Sequence, residues 1–427
     1  MTKEVQKCIG RWMVYSSVVA VALCLGAATA YGLPGDLEAE LVVDELEFPI
    51  KMEPIGPRDL LVTEKMGALR LVRDGELVDE PLLQFDVKPQ NEAGLLDVAT
   101  APDFDESGEF FIVYTPQQAL DSMYISRLRL DGDSAQILDD PWIELPSIPE
   151  TDRHFGGTID FSPDGDLYVS IGDLRQVHRS QDLDDPAGSI LRYGRDGTVA
   201  STNPFGEENP IFAYGLRNPF GIAFDGEGNL WNVENSDDVN DELNLIREGL
   251  NYGWPLVEGR CDNFPDHEPC EDADELEDPV YEFRTVTGPT AVVRYEDELI
   301  EAFDGDLMVT GWHSGAVHHL EWNEETGRAE KKGILFRAPT TGAGLTDIAI
   351  ADDGAIFVQE SGPSGGAIYR IAPRTKLWDD GAVVGEGGSG CSSPAGRTPP
   401  VSGWVLALAV LVALSTIRRT SHGATAF

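Results

Sequence analysis

The stretch Ile211–Pro255 gathers side chains that could bind a polar ligand or a metal ion. Arg217 and Asn218 come directly after one short apolar strand candidate. A second apolar strand candidate is followed by four carboxylates, those of Asp237, Asp238, Asp241 and Glu242. A rigid β scaffold that brings a guanidinium and carboxylates to the ends of adjacent strands would form a polar site, and hard oxygen ligands suit Ca²⁺.

The elements that must position these side chains repeat along the chain. A polar turn with Asp or Gly precedes a short apolar strand, and Asp-Gly supplies the positive φ that tight turns need. The pattern occurs six times, at Asp59–Val62, Glu109–Val113, Asp166–Val169, Asn229–Trp231, Asp306–Val309 and Ala355–Val358.

Many short strands with regular turn signals and an internal repeat predict an all-β fold, a six-bladed β-propeller over residues 31–375. A two-domain β-sandwich is the structural alternative. We expect a strand near Leu41–Val43 to complete the last blade and close the ring. Helical periodicity is scarce, and the best candidate is the short run Asp241–Glu248.

Residues 1–30 have the pattern of a signal peptide. Three basic residues precede an apolar run from Trp12 to Leu25, and Ala28-Thr29-Ala30 then supplies small residues at the cleavage spacing. A transmembrane anchor is the alternative, although the run is short for a bilayer. The mature chain is expected to start near Tyr31 and to lie outside the cytoplasm, in the periplasm or at the cell surface.

The C-terminal end is predicted to attach the protein to a membrane. Residues 376–400 form a Gly/Ser/Pro linker that contains Cys391, and residues 401–427 contain an apolar run to Ile417 followed by Arg418-Arg419. A basic pair after an apolar helix fits a stop on the cytoplasmic side. The tail resembles the sorting signals of myxobacterial surface proteins, and a plain membrane anchor is the alternative.

Charge and cysteine content narrow the functional classes. The formal net charge is −44, which repels nucleic acid and anionic lipid and suits a solvated extracellular protein. Two of the five cysteines, Cys261 and Cys270, lie in the body of the chain. Outside the cytoplasm this pair predicts a disulfide.

Several motifs resemble those of the soluble PQQ-dependent aldose sugar dehydrogenases, the glucose/sorbosone dehydrogenase family. They run in order through nearly the whole body of the chain: Glu92–Phe104, His154–Asp173, Gln181–Gly197, Tyr214–Asp225 and Asp241–Pro255. Members of this family are six-bladed propellers, in agreement with the number of repeats.

The resemblance implies a set of catalytic and cofactor-binding residues. The cofactor PQQ is expected to lie flat on the propeller axis. His154 matches the general base that takes the proton of the sugar C1 hydroxyl while hydride passes to the quinone, a role suited to imidazole. Arg217 matches the residue that stabilises negative charge on the quinone oxygen, and Asn218 matches a cofactor contact. Without the resemblance, His154 could be a capping residue and Arg217 could bridge blades.

The resemblance also implies calcium. Glu242 and the carbonyl of Tyr252 match ligands of a structural calcium ion. A second, cofactor-bridging calcium site falls on Asn235, Ser236 and Asp237, where the usual Gly-Pro of the family is absent. A solvated acidic loop is the alternative interpretation of these carboxylates.

Some cofactor contacts of the family are replaced in this sequence. His313 occupies a position that usually carries Lys, Gly344 and Thr346 occupy positions that usually carry Arg, and Glu92 occupies a position that usually carries Gln. Because PQQ is a tricarboxylate, its site needs cations. Arg153 and Arg337 lie near these motifs and could supply them.

Three functions therefore remain open. The first is a PQQ-dependent and calcium-dependent dehydrogenase of aldose sugars or related polyols. The second is a non-catalytic propeller that binds a glycan or protein partner at the cell surface, as animal relatives with this domain do. The third is a metal-dependent, lactonase-like hydrolase.

Overall fold

The structure, a computed structural model, describes residues 33–378 except 119–121, 146–150, 152, 238–239, 264–269 and 271–275. The predicted signal peptide, the predicted C-terminal segment and all of the predicted linker except residues 376–378 lie outside the described residues. In chain order the strands are β1 (Leu37–Leu46), β2 (Pro49–Pro54), β3 (Leu60–Glu64), β4 (Ala68–Arg73), β5 (Glu76–Leu77), β6 (Leu83–Gln84), β7 (Leu95–Thr100), β8 (Glu109–Tyr114), β9 (Tyr124–Asp131), β10 (Ser134–Glu144), β11 (Ile159–Phe161), β12 (Leu167–Ile171), β13 (Ser189–Tyr193), β14 (Ile211–Tyr214), β15 (Pro219–Phe224), β16 (Leu230–Glu234), β17 (Asp241–Ile246), β18 (Tyr281–Phe283), β19 (Pro289–Arg294), β20 (Leu307–Gly311), β21 (Ala316–Asn323), β22 (Arg328–Arg337), β23 (Gly344–Ile350), β24 (Ile356–Gly362) and β25 (Gly365–Pro373).

The helical segments whose bounds both lie within the described residues are short turns. They are a single α-helical turn at Phe104–Ser107 and 3₁₀ turns at Val177–Gln181, Cys261–Asn263, Glu298–Phe303 and Arg374–Lys376. No helix among the described residues is long and apolar enough to cross a membrane.

The strands form six antiparallel sheets, which are the blades of a propeller. Blades 1 to 5 are β2–β5 with β6, β7–β10, β11–β14, β15–β18 and β19–β22, and blade 6 is β23–β25 with β1 on its outer edge. The inner strands β2, β7, β11, β15, β19 and β23 contact one another in a closed cycle. The predicted six-bladed β-propeller is confirmed.

Ring closure comes from the N-terminal strand. β1 pairs antiparallel with β25, from Leu37 opposite Pro373 to Leu46 opposite Gly366. This confirms the strand predicted near Leu41–Val43. Because the first and the last strand of the propeller share one blade, the closed sheet arrangement leaves no gap in the ring.

Each of the six repeated segments lies in the second strand of a blade: β3, β8, β12, β16, β20 and β24. The described side chains of β3, β12, β16, β20 and β24 are all buried. Adjacent blades cover both faces of these strands, so each strand begins with consecutive apolar residues rather than with an alternating pattern.

The prediction of a short helix at Asp241–Glu248 is wrong. Asp241–Ile246 is the strand β17, with all six residues buried. It pairs with β16 on one side and with β18 on the other. Pairing on both sides and burial on both faces override the weak helical pattern of this segment.

Carboxylates on the inner strands join neighbouring blades. Each accepts a backbone N–H from the next blade at 2.7–3.1 Å: Asp347 from Met52, Glu53 from Thr100, Asp97 from Ile159 and Asp160 from Phe224. Removal from solvent raises the pKa of Asp160 to about 6 and that of Glu53 to about 7. The centre of the ring therefore carries several carboxyl groups for which ionisation is costly.

Candidate active site

A cavity of about 470 Å³ lies on the propeller axis. Every blade contributes to its wall. Lys51, Leu96, Phe220, Thr290 and Thr346 belong to inner strands, and Thr158 directly precedes the inner strand β11. Its volume falls within the range of small-molecule sites. The loops that precede the inner strands add His154, Arg217 and Asn218, so the predicted catalytic pair faces one and the same cavity.

His154 is held in a strained backbone conformation. Its φ is 60°, a left-handed value that non-glycine residues rarely adopt and that is concentrated at functional sites. Gly172 packs against this turn so closely that an added Cβ would lie 2.2 Å from the His154 carbonyl oxygen. Glycine at position 172 therefore allows the loop that carries His154 to pass close to the third blade.

The His154 ring is oriented by a buried carboxylate. Its Nδ1 lies 2.7 Å from Oδ1 of Asp173, whose side chain is fully buried. The same carboxylate accepts the backbone N–H of Arg175 at 2.7 Å and the indole Nε1–H of Trp254 at 2.9 Å. The carboxylate serves as the acceptor in these contacts, and the ring must supply a donor. Nδ1 of His154 must then carry the proton and Nε2 is left as the proton acceptor.

Arg217 has its side chain largely enclosed at the cavity wall. Its guanidinium donates to the carbonyl of Asn235 and to Oδ1 of Asp237, each at 2.8 Å. The guanidinium carbon also lies 5.5 Å from the ring centre of Trp254. Trp254 thus contacts the carboxylate that orients His154 and the guanidinium of Arg217, and it links the two predicted catalytic groups.

The backbone around Arg217 and Asn218 is anchored by Glu234. Its Oε1 accepts the N–H of Arg217 at 2.9 Å and that of Asn218 at 2.5 Å. The Asn218 side chain donates to Oε2 of Glu92 at 3.3 Å, and the same Glu92 oxygen accepts the N–H of His154 at 2.7 Å. Glu92 therefore ties blades 2, 3 and 4 together at the cavity wall.

The cations at the cavity differ from those considered from the sequence. Lys51, Lys65 and Arg153 line it together with Arg217. Arg337 ends β22, is exposed and is not part of the cavity wall. Sequence reasoning therefore named Arg153 and missed both lysines.

A second, much smaller cavity lies beside the first. Its wall includes Ser236, Tyr252, Glu234 and Glu242. Both glutamates are about 95% buried. Burial raises the pKa of Glu242 to about 7 and that of Glu234 well above its ordinary value, with the Glu242 charge adding to the latter shift.

These two carboxyl groups fit a hard cation. Oε2 of Glu234 is buried with no hydrogen-bond partner, and a nearby divalent ion would satisfy it and favour the ionised forms. Within the described ranges no group of three Asp, Glu, His or Cys side chains converges on one point, so backbone oxygens would have to complete the shell. Asp237 does not line this cavity, since its carboxylate is exposed and pairs with Arg217.

The sequence profile of the glucose/sorbosone dehydrogenase family matches residues 46–370, which include the inner strands of all six blades. The chain belongs to the glucose/sorbosone dehydrogenase family. It is 26% identical to aldose sugar dehydrogenase YliI of Escherichia coli over 367 residues, or 82% of this chain and 97% of the relative. Quinoprotein glucose dehydrogenase B of Acinetobacter calcoaceticus is 31% identical over 210 residues, which cover 43% of this chain and 44% of that protein.

The solved structures agree with this membership of the glucose/sorbosone dehydrogenase family. The soluble aldose sugar dehydrogenase of Escherichia coli in its apo form superposes with a TM-score of 0.70 at 26% identity. The match covers 79% of this chain and all of that one. The family relationship therefore extends over the complete propeller rather than over single motifs.

Some residues that shape the axial cavity of this family member were not assigned from its sequence. Asp173 and Trp254 lie inside the recognised motifs, but they are 81 positions apart in the sequence, and their hydrogen bond is visible only in the structure. Glu234 ends the fully buried strand β16, and a carboxylate at the end of such a strand is a usable signal for a site. Lys51 stands out in the same way as a lysine within the inner strand β2.

The predicted disulfide is confirmed. Cys261 and Cys270 form a disulfide, with their Cα atoms 5.3 Å apart.

Proposed function

We propose that this protein oxidises aldose sugars or related polyols outside the cytoplasm, with PQQ as the bound electron acceptor and calcium as a structural ion. The observation that carries the proposal is the pairing of His154 with buried Asp173 at the same axial cavity that Arg217 lines. The names of the relatives, an aldose sugar dehydrogenase and a quinoprotein glucose dehydrogenase, support the substrate class and the cofactor.

The roles of the side chains follow from their contacts. Nε2 of His154 accepts the proton of the sugar hydroxyl, because Nδ1 is committed to Asp173. The Arg217 guanidinium places a fixed positive charge at the wall, where it favours negative charge that develops during the reaction. Asn218 and His313 offer hydrogen-bonding groups to whatever occupies the cavity. PQQ, when bound, supplies a two-electron acceptor that none of these side chains provides.

Calcium belongs to the smaller cavity in this proposal. Glu242 and Glu234 supply carboxylate oxygens, and Ser236 and Tyr252 lie on the same wall, where backbone oxygens would complete the ligand shell. Asp237 and Asn235 are held by Arg217 instead. The ion would neutralise the two glutamates directly behind the segment that carries Arg217 and Asn218.

Dye reduction tests the activity. Purified protein with PQQ and Ca²⁺ is expected to reduce a dye when glucose or another aldose is added. His154→Asn should lower kcat by about 10²- to 10⁴-fold while it retains PQQ binding by absorbance titration. His319→Asn is a matched control. His319 lies on β21, its Nε2 is 2.6 Å from Oδ2 of Asp306, and it does not line the axial cavity.

The same assay separates the competing functions. A non-catalytic binding propeller is favoured by the loss of cations at positions 313, 344 and 346. Absence of dye reduction and of any change in PQQ absorbance would remove the dehydrogenase from consideration. Hydrolysis of a lactone with Ca²⁺ and without PQQ would establish a hydrolase instead.

The proposed location rests on the disulfide between Cys261 and Cys270, because such bonds persist in oxidising compartments. N-terminal sequencing of the protein from its native host is expected to give a start near Tyr31. Residues 401–427 would hold the protein at a membrane, so the full chain should sediment with membranes and a chain that ends at Thr375 should not. A soluble full chain with an intact N-terminus would contradict both points.

A further inference from the structure

The part of the axial cavity wall formed by blades 5 and 6 has no arginine at positions 344 and 346. Thr346 faces the cavity as a small hydroxyl group. At Gly344 an added Cβ would lie 2.4 Å from the ring of Trp312, which itself lines the cavity. A long side chain at position 344 would therefore have to displace the tryptophan, and the wall cannot simply regain a cation there.

Lys51 places a positive charge in this same region, from a strand of blade 1. It belongs to β2 in blade 1 and is 5% exposed. Its Nζ lies 3.1 Å from the carbonyl oxygen of Thr290 in blade 5 and 3.1 Å from Oδ1 of Asp347 in blade 6. The ammonium group is thus next to position 346, where arginine is absent.

Lys65 supplies a second charge from the loop after β3. Its Nζ donates to the carbonyl of Asn91 and lies 5.0 Å from the ring centre of Phe48. Burial lowers the pKa of Lys65, and the nearby Glu92 opposes this shift. Since the hydrogen-bonded carbonyl is neutral, Lys65 contributes a partly desolvated positive charge to the cavity.

We propose that Lys51 and Lys65 form the anion-binding wall of the cavity, and that they hold carboxylate groups of the planar ligand in place of the cations missing from blades 5 and 6. The identity of that ligand as PQQ rests on the proposed function. The lysines bind by charge-assisted hydrogen bonds, and their flexible stems let a compact ammonium group adjust to the position of each carboxylate.

Binding titrations with two probes test this wall. One probe is PQQ, and the other is benzene-1,3,5-tricarboxylate, a planar tricarboxylate without redox chemistry. Affinity is measured by calorimetry for the wild type, Lys65→Met and the double variant Lys51→Met/Asp347→Asn. The second substitution in the double variant avoids leaving the Asp347 carboxylate buried without its lysine. Lys332→Met is the matched control, because Lys332 pairs with Asp306 and Glu321 on the outer part of blade 5.

We expect each cavity variant to bind both probes about 10- to 100-fold more weakly, since a hydrogen bond between charged groups is lost. Lys332→Met should bind within about twofold of the wild type. Equal affinities in wild type and Lys65→Met, or no binding of either probe to the wild type, would overturn the inference. Weaker binding in the variants without any sugar oxidation by the wild type would support the lysine wall and refute the dehydrogenase.

Discussion

Glu242 in the small cavity allows a quantitative prediction about stability. Burial raises its pKa from 4.5 to about 7. A carboxyl group with a higher pKa in the folded state stabilises the fold most below pH 4.5, and this contribution is lost as the pH rises through 7. Each pKa unit corresponds to about 1.4 kcal/mol, so ionised Glu242 costs the calcium-free protein about 3 kcal/mol at pH 8.

Glu242→Gln removes this cost while it preserves the shape of the side chain. The remaining oxygen can still accept the N–H of Gly259, which lies 2.7 Å from Oε1. Nδ2 of Asn244 now donates to Oε2 of Glu242 at 3.1 Å, and Oδ1 of Asn244 has no partner. The new amide can donate to this oxygen once the Asn244 amide group rotates by 180°. In EDTA at pH 8 we therefore expect the variant to be more stable than the wild type by up to about 3 kcal/mol, with a much smaller difference at pH 4.5.

Calcium should reverse the order. A ligand present at a thousand times its Kd stabilises the folded wild type by about 4.1 kcal/mol, which exceeds the cost of ionised Glu242. The variant lacks one ligand charge and should gain little. Urea unfolding followed by tryptophan fluorescence, in EDTA and in CaCl₂ at both pH values, measures all of these quantities. Glu301→Gln, at an exposed position, controls for the change in net charge. A variant less stable than wild type in EDTA at pH 8, or one with an undiminished calcium response, would refute the reasoning.

Two further predictions concern the loop under His154 and the overall charge. Gly172→Ala should lower the free energy of unfolding by about 1–3 kcal/mol through overpacking and should lower kcat, because the new Cβ meets the His154 carbonyl. In the control variant Gly333→Ala the new Cβ meets no atom within 4 Å, so the melting temperature and kcat should stay nearly unchanged. Equal behaviour of the two variants would contradict the proposed packing. Because the net charge is −44, 1 M NaCl should screen self-repulsion and raise the melting temperature above its value at low salt. Choline chloride at the same concentration should have the same effect. A rise with sodium alone would indicate a specific ion site instead.

Much of the architecture could be read directly from the amino-acid order. The six apolar runs after polar turns each became the second strand of a blade, and the strand near Leu41–Val43 closed the ring. Such strands are recognisable because the blades cover both of their faces and make the runs continuously apolar. The motifs around His154 and Arg217 also located the axial cavity correctly.

One local prediction failed for a tertiary reason. Asp241–Glu248 contains no residue that forbids a helix, and its acidic and apolar residues are compatible with either state. The neighbouring strands β16 and β18 supply hydrogen-bond partners on both edges of Asp241–Ile246. Pairing with partners distant in sequence therefore decided the conformation of this segment.

The sequence by itself determined the repeat, the turns and the chemical types at the centre of this protein. Only the tertiary structure decided which of those groups meet. Lys51 and Asp347 are 296 positions apart, and Trp254 and Asp173 are 81 apart. Lys51 and Asp347 meet because closure of the ring brings the inner strands of all six blades to one axis. Trp254 and Asp173 meet because segments that follow β17 and β12, in adjacent blades, contact each other. Sequence patterns encode the strands and turns and leave such partners unspecified.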